Sequence, residues 1–158
     1  MLNISDKSNP TKISSLDIDG TSKDMYVGQG RAYISYMDSQ GNYKVQIFDI
    51  SDPQNPIKKG TIEPQGKPSE WDVGVSVWGF GELLILGSND STENKSYIEV
   101  YDVSDPVNLK KKVSIDTPFS ISDIQVIDLN GNTVILAGMP GGSIHTYSIK
   151  SQDSTTEI

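Results

Sequence analysis

The sequence predicts an all-β fold built from three copies of a unit of about 50 residues, each unit a four-stranded antiparallel sheet. Three observations carry this prediction: a Ser-Asp-Pro turn phrase recurs, an apolar strand that begins with aspartate recurs in step with it, and a glycine-bearing turn follows each of those strands. No segment shows a sustained helical period, so helices are not expected.

The turn phrase reads Phe-Asp-Ile-Ser-Asp-Pro-Gln-Asn-Pro at residues 48–56 and Tyr-Asp-Val-Ser-Asp-Pro-Val-Asn-Leu at 101–109, with a weaker copy at 2–10 in which Lys7 replaces the first proline. Its Ser and Asp side chains can bond to nearby backbone N–H groups and so stabilise a turn. Pro53 has no N–H group, so the strand ladder must end there. The phrase therefore predicts a strand that ends in a tight turn.

The four-strand pattern follows from what surrounds this turn. Asp24, Asp72 and Asp123 each open a first strand, and a glycine-bearing turn with a second apolar strand follows, which is the pattern of a β-hairpin. The third strand leads into the turn phrase, and the fourth is polar and rich in lysine. The predicted strands are 23–28, 32–37, 43–50 and 56–63, then 71–78, 83–88, 96–103 and 109–116, then 122–128, 133–138 and 142–149.

The apolar middle strands and the charged fourth strand predict that each unit is one blade of a β-propeller, with its lysine-bearing outermost strand facing water. The expected blade-like units are 22–63, 70–116 and 121–149 within a segment that spans 1–149, followed by a polar C-terminal tail at 150–158. The third unit lacks the turn phrase and a good fourth strand. Residues 11–18, at the start of the chain, supply a spare outer strand.

Three blades are too few to close a ring, since propellers typically have about 4 to 8. Two arrangements stay open. Either two chains form a homodimer that completes a six-bladed ring, each lending its strand at 11–18 to the other, or the chain is a partial ring that needs the remaining blades of a longer chain. The opening copy of the turn phrase favours the second arrangement, because it is typical of the end of an upstream unit.

The repeated residues resemble the LVIVD-type β-propeller repeat of bacterial and archaeal, often cell-surface, proteins. The matching parts are Ile-Phe-Asp-Ile-Ser-Asp-Pro-x-Asn-Pro at 47–56, its copy at 100–109, and the aspartate-initiated strand before each hairpin, so the similarity spans about residues 1–149. The resemblance implies propeller architecture and surface binding, with an extracellular or cell-surface location if the chain is a fragment of a longer member. It implies no shared catalytic residues.

Composition and charge narrow the possible partners. The net charge of −8 would repel a phosphate backbone, which argues against nucleic acid. The chain has no cysteine and a single histidine, His145, which argues against a zinc site, and His145 is expected to be an ordinary strand residue. No apolar run is long enough for a membrane span, and no signal peptide precedes the first unit, so a chain complete as given is expected to be cytoplasmic.

Asp24, Asp72 and Asp123 form the candidate metal site. In a propeller the first strands line the central channel, so these carboxylates would form a ring near one channel mouth and could attract Ca²⁺. The competing interpretation is that each carboxylate accepts backbone N–H bonds at the entry to its strand. The second interpretation is favoured because Ca²⁺ takes about 6–8 oxygens in a compact cage and these residues come from separate units. No other cofactor is expected.

The candidate binding face consists of the loops between second and third strands and the loops that lead into first strands. The residues predicted to lie on it are Asp38, Gln40, Trp71, Asn89, Asp90 and Phe119. A mixed aromatic and acidic surface can bind a glycan or a protein, although loops are also polar by default. The sequence thus predicts a non-enzymatic binding or scaffold module that presents these loops to a protein or carbohydrate ligand. The alternatives are a metal-supported hydrolase or lyase that uses the channel aspartates, and a purely structural repeat.

Overall fold

The computed structural model describes residues 1–67, 74–149 and 155–157. Within these ranges the secondary structure consists of β-strands only, which confirms the all-β prediction. The strands form one two-stranded and three four-stranded antiparallel sheets. None of the described segments forms a helix that could cross a membrane.

The strands follow one another along the chain in a simple order. An N-terminal ribbon contains β1 (Leu2–Asn3) and β2 (Thr11–Lys12). Sheet I contains β3 (Thr21–Gly28), β4 (Arg31–Met37), β5 (Tyr43–Asp49) and β6 (Ile57–Ile62). Sheet II contains β7 (Ser76–Phe80), β8 (Leu83–Asp90), β9 (Lys95–Asp102) and β10 (Lys110–Thr117). Sheet III contains β11 (Asp123–Leu129), β12 (Asn132–Gly138), β13 (Ile144–Ile149) and β14 (Thr155–Glu157), and in each sheet every strand pairs with its neighbour in sequence.

The outer strand of sheet III differs from the expectation. The strand β14 pairs with Tyr147–Ile149 of β13 and so takes the fourth position of that sheet, although its residues were assigned to a polar tail. The proposed spare strand at 11–18 does not fill this position, since Thr11 and Lys12 pair with Asn3 and Leu2 of the same chain. No turn phrase precedes β14, so the sequence carries no local signal for it beyond two threonines, which favour strands.

Neighbouring four-stranded sheets pack face to face. We call the face that a sheet turns toward the next sheet along the chain its forward face, and the opposite face its rear face. The forward face of sheet I packs on the rear face of sheet II, burying Tyr33, Tyr43, Val45 and Ile47 against Val77, Leu84, Leu86 and Tyr101. The forward face of sheet II packs on the rear face of sheet III, burying Ile85, Ile98 and Val100 against Ile124, Val126, Ile135 and Ala137.

Sheet II is therefore covered on both faces, and the sequence of β8 reflects this. Leu84 belongs to the interface with sheet I and Ile85 to the interface with sheet III, and both side chains are fully buried. Because successive side chains of a strand point to opposite faces, a strand buried on both sides reads as a continuous apolar run rather than an alternating one.

The Ser-Asp-Pro turn is held by side chain to backbone hydrogen bonds, as its sequence predicts. In the first full copy, Oδ1 of Asp49 accepts the backbone N–H of Ser51 at 3.1 Å and its hydroxyl at 2.7 Å. Oδ1 of Asp52 accepts the N–H of Gln54 at 2.9 Å, and its Oδ2 accepts the amide of Asn55 at 2.8 Å. These bonds satisfy backbone donors where the strand ladder ends.

The same bonds recur in the other copies of the turn. In the second full copy, Asp102 accepts the N–H of Ser104 at 3.1 Å and Asp105 accepts the N–H of Val107 at 2.9 Å. In the N-terminal ribbon the corresponding acceptors are Asn3, bound to the N–H of Ser5 at 2.9 Å, and Asp6, bound to the N–H of Ser8 at 2.9 Å. The ribbon is thus built like the β5–β6 and β9–β10 ends of sheets I and II.

These turns make the stability of the fold depend on pH. Hydrogen bonds from Ser51 to Asp49 and from Asn55 and Gln54 to Asp52 hold the pKa of both carboxyls below its usual range. A depressed pKa in the folded state stabilises the fold above the unfolded pKa of about 3.9 and ceases to do so as the pH falls through the folded value. We expect the melting temperature, followed by circular dichroism, to drop below about pH 4.

The double variant Asp52→Asn, Asp105→Asn tests the cause. It removes one titrating carboxylate from each full turn while keeping an acceptor oxygen, so its melting temperature should fall less between pH 5 and pH 2.5 than that of the natural sequence. An equal fall in melting temperature for the two proteins would show that the loss of stability in acid does not come from these turns.

Candidate functional site

The first-strand aspartates fasten neighbouring sheets to each other. Oδ2 of Asp24 in sheet I accepts the backbone N–H of Val77 in sheet II at 2.8 Å, and its Oδ1 accepts the N–H of Met25 at 2.7 Å. Oδ1 of Asp123 in sheet III accepts the N–H of Ile124 at 2.8 Å and the hydroxyl of Ser76 in sheet II at 3.1 Å. The carboxylates of Asp24 and Asp123 therefore already accept hydrogen bonds from donors of the protein itself.

These aspartates do not occupy one equivalent position. Counted from the hairpin turn, Asp24 lies opposite Ser35, and the residue at the same place in sheet II is Ser76, opposite Gly87. Asp123 lies two residues further from its turn, opposite Gly138. The third residue of the predicted ring, Asp72, lies outside the described residues. The structure thus does not show a ring of equivalent carboxylates.

Asp24 and Asp123 nonetheless line one depression. It has a volume of about 200 Å³, and its lining residues are Lys23, Asp24, Gly74, Val75, Ser76, Ser122 and Asp123. Within the described ranges, no three His, Cys, Asp or Glu residues are grouped so that they could hold a metal ion. Among the described residues, the two carboxylates of this depression therefore have no third acidic or histidine ligand with which to hold Ca²⁺.

Three of the predicted binding residues have side chains that make hydrogen bonds within the protein and so stabilise its fold. The side chain of Asn89 is buried, where its Nδ2 donates to the carbonyl of Ile121 at 3.0 Å and its Oδ1 accepts the N–H of the same residue at 2.8 Å. Asn89 thus joins sheet II to the connection that leads into sheet III. Its assignment to an exposed loop is wrong, because β8 continues through Asp90.

Asp90 and Asp38 close their own loops. Oδ1 of Asp90 accepts the N–H and the hydroxyl of Thr92 at 2.8 and 2.5 Å, and although burial disfavours its charge, these bonds leave its pKa lowered. Oδ1 of Asp38 accepts the N–H groups of Gln40 and Asn42 at 2.9 Å each, and the bond from Asn42 lowers the pKa of Asp38. Both carboxylates act as turn-capping groups.

Of the remaining predicted binding residues, Phe119 and Gln40 are both exposed but lie at different places. Phe119 is exposed, and its ring lies 5.0 Å from that of His145, which belongs to β13. Gln40 is exposed at the tip of the β4–β5 loop. Trp71 lies outside the described residues. Of the predicted set, Gln40 is the residue that opens onto a sizeable cleft.

This cleft, which we call the loop cleft, lies between the β4–β5 loop and the chain that follows β6. It has a volume of about 470 Å³ and is lined by Gln40, Gly41, Asn42, Tyr43, Lys44, Glu63, Pro64, Gln65, Gly66 and Lys67. Residues 63–67 were not predicted to bind. The signal that could have found them is the length of the connection between β6 and β7, which exceeds that between β10 and β11.

A charged group is held in place in the loop cleft. Nζ of Lys44 lies 3.2 Å from Asp38 and 3.7 Å from Glu63, and its hydrogen bond to Asp38 raises the pKa of Lys44. Because a carboxylate stands on each side of this ammonium, the cleft combines fixed donors and acceptors without a large excess of either charge.

A buried ionic group supports the wall formed by Gln65. The side chain of Glu99 is completely buried (0% exposed), and its Oε2 accepts the N–H of Gln65 at 2.9 Å. Its Oε1 lies 2.7 Å from Nζ of Lys111 and accepts the hydroxyl of Tyr101 at 3.0 Å. Burial, together with the charge of Glu99, raises the pKa of Tyr101. Nζ of Lys111 also donates to Oε1 of Gln65 at 2.9 Å.

No family model and no curated protein matches the chain. Among solved structures, it is similar to a GH32 β-fructofuranosidase from Bombyx mori, with a TM-score of 0.50 and 13% identity over 94% of this chain and 38% of that one. It is also similar to the computationally designed Ika4 protein, with a TM-score of 0.44 and 10% identity over 89% of this chain and 99% of that one. The chain thus spans 38% of the length of the fructofuranosidase.

At 13% identity, the likeness to the fructofuranosidase shows the fold alone, a propeller-like arrangement of antiparallel sheets. It corrects one expectation. The sequence predicts that the chain is not an enzyme, and this prediction is contradicted, because an enzyme shares the same arrangement of sheets.

Proposed function

We propose that sheets I, II and III are successive blades of a β-propeller of the LVIVD type and that the chain is a binding module whose loop cleft takes a carbohydrate ligand. The blade interpretation is supported by the face-to-face order of the sheets and by the recurring Ser-Asp-Pro turn between third and fourth strands. Four-stranded sheets stacked around an axis are the propeller arrangement.

The loop cleft is the observation that carries the binding proposal. Its volume of about 470 Å³ lies in the range of small-ligand sites, about 300–1,000 Å³. The side-chain amides of Gln40 and Asn42 can each donate and accept hydrogen bonds, which suits the hydroxyl groups of a sugar. Oε1 of Gln65 already accepts from Lys111 and Ser114, which leaves the amide N–H groups of Gln65 to donate. Gly41 in the lining has open space where a side chain would lie, which leaves its backbone accessible to a ligand.

The chemistry of this lining favours a sugar over a protein partner. A stable protein interface needs about 800 Å² on each side, with aromatic and arginine anchors at its centre. The loop cleft instead offers amides and side chains of both charges, and its one tyrosine, Tyr43, is buried in the core between sheets I and II. Because Lys111 and Ser114 hold the side chain of Gln65 and Asp38 holds that of Lys44, the ligand would not have to order these side chains itself.

A glycan array followed by titration of the best soluble oligosaccharide tests the proposal. Gln40→Ala and Lys67→Ala remove exposed cleft side chains, and each is expected to weaken binding by roughly fivefold to tenfold, the loss of about one hydrogen bond. Lys110→Ala, an exposed lysine on the outer strand of sheet II, is the matched control and should leave affinity unchanged.

An array without a bound glycan, or binding that survives both cleft substitutions, would contradict a carbohydrate site in the loop cleft. The first outcome, together with a purified protein ligand whose binding both substitutions weaken, would move the proposal to a protein partner. Recovery of the oligosaccharide intact or shortened after incubation shows whether binding is accompanied by cleavage.

A further inference from the structure

The N-terminal ribbon has the structure of the outer half of a unit like sheet I. Its strands β1 and β2 pair in the register of the ends of β5 and β6 that meet at the Ser-Asp-Pro turn: Leu2 pairs with Lys12, and the corresponding pair of sheet I is Phe48 with Lys58. The turn between the strands is held by the same side chain to backbone bonds in both places. The ribbon thus corresponds to the end of a third strand and to a fourth strand.

The ribbon also lies on sheet I as the outer half of sheet I lies on sheet II. The hydroxyl of Ser14 donates to the carbonyl of Pro53 at 2.7 Å. At the corresponding place Gly60 approaches the carbonyl of Pro106 so closely that a methyl group would overlap it. Leu16, in the segment that follows β2, packs on buried residues of the rear face of sheet I. The outer half of that face is therefore already covered by this chain.

The inner half of the same face is open. On β3, Met25 is 58% and Val27 is 52% exposed. Met25 pairs with Ile34, and the residue in the same position of sheet II is Val77, which is 2% exposed because sheet I covers it. A groove of about 480 Å³ extends from Met25 to Leu16. The open surface is thus the part on which the first and second strands of a preceding unit would lie.

The contact of sheet I with sheet II shows what such an inner half supplies. Tyr26 of β3 and Tyr33 of β4 both pack into the apolar interface with sheet II. The ring of Tyr26 lies over Gly79, where a methyl group would overlap it. In sheet I the position of Gly79 belongs to Val27, whose side chain fills that space. The rear face of sheet I therefore requires an apolar residue smaller than tyrosine at the position of Tyr26.

We propose that the open half of this face binds a β-hairpin, the first and second strands of a further unit of the same repeat. The second strand of the hairpin pairs with β1, which among the described strands pairs only with β2. Its apolar face covers Met25 and Val27, and removing these side chains from water favours binding. Because the ribbon already holds the place of the third and fourth strands, two strands fit where a complete four-stranded sheet does not. The inference is independent of the loop cleft and its ligand.

An extension of the chain tests the fit. A copy of residues 122–147 is fused in front of Met1, so that it supplies a first strand, a second strand and the beginning of a third. The copied segment ends one residue before Ser148, the residue of β13 in the position that Met1 has in the ribbon. At the position of Tyr26 it carries the smaller Ile127.

The reactivity of a single thiol reports whether the hairpin covers the face. The natural sequence has no cysteine, so Met25→Cys provides one thiol for Ellman's reagent. In the extended chain this thiol is expected to react at least about tenfold more slowly, because a buried group is reached only through local opening. A matched extension with Ile127→Lys in the copied segment alone should leave the rate near that of the unextended chain. Lys58→Cys, exposed on the outer strand β6, should react alike in all three chains.

Three results would overturn the proposal. Equal reaction of the Met25→Cys thiol with and without the extension would show that the face does not accept a hairpin of this repeat. Equal protection by both extensions would show that the apolar contact of the hairpin is not the cause. Protection in the unextended chain that increases with protein concentration would assign the face to a second copy of the chain instead.

Discussion

Replacing Lys111 with methionine is expected to lower the free energy of unfolding by about 3 kcal/mol, because it leaves the charge of Glu99 buried without a counter-ion. Nζ of Lys111 lies 2.7 Å from Oε1 of Glu99, and that carboxylate is completely buried. Methionine keeps most of the packing of the lysine stem and removes only the ammonium group. Urea unfolding followed by circular dichroism measures the change.

Two further variants separate the charge from the packing. Lys110→Met changes the neighbouring lysine, which is exposed, and should alter stability by less than about 0.5 kcal/mol. Adding Glu99→Gln to Lys111→Met removes the buried charge while keeping an acceptor oxygen for one of its two donors, Tyr101 or Gln65, and should restore part of the lost stability. If Lys111→Met were as stable as Lys110→Met, Glu99 would not depend on this ion pair.

Gly60→Ala is expected to lower the free energy of unfolding by about 1–3 kcal/mol through steric overlap between sheets I and II. A methyl group at this position of β6 would overlap the carbonyl oxygen of Pro106, which belongs to the turn after β9. Because the obstacle is backbone rather than a movable side chain, relief requires the outer strand of sheet I to move away from the turn of sheet II.

The matched control is Gly138→Ala at the end of β12, where the nearest atom to the new methyl group is the carbonyl oxygen of Asp123 at 3.8 Å. It should be nearly neutral by the same urea titration. Equal stability of the two alanine variants would contradict the close approach of β6 to the turn of sheet II.

Features that arise from neighbours in sequence were predictable. The turn at Ser51 and Asp52 forms because its side chains reach backbone N–H groups two or three residues away, so the phrase itself contains the interaction. The hairpins follow for the same reason, since the glycine turns and the apolar strands beside them are adjacent. The apolar character of the second strands was also predictable, and the structure explains the continuous apolar run of β8 by its burial on both faces.

Features that depend on distant partners were not predictable. Asn89 looks like a loop residue, but its partner Ile121 lies 32 residues away and draws its side chain into the fold. The bond from Gln65 to Glu99 joins residues 34 apart, so the wall of the loop cleft has no local signature. Gln40 was identified because the tip of a loop between paired strands is exposed in any register.

The aspartate phrase shows the limit of alignment by sequence. Asp24 and Asp123 look equivalent because each precedes an apolar strand, but their distances from the hairpin turn differ by two residues. Since a sheet places residues by pairing, the position of Asp24 in sheet II belongs to Ser76. An aspartate at the same position of the aligned repeats therefore did not mean the same position in the sheet.

The most direct test of the binding proposal is a ¹H–¹⁵N spectrum recorded with and without the oligosaccharide selected on the array. The loop cleft predicts that shifted backbone signals concentrate in residues 40–44 and 63–67. Shifts concentrated instead around Asp24, Ser76 and Asp123, which line the depression between the first strands, would contradict the loop cleft as the binding site.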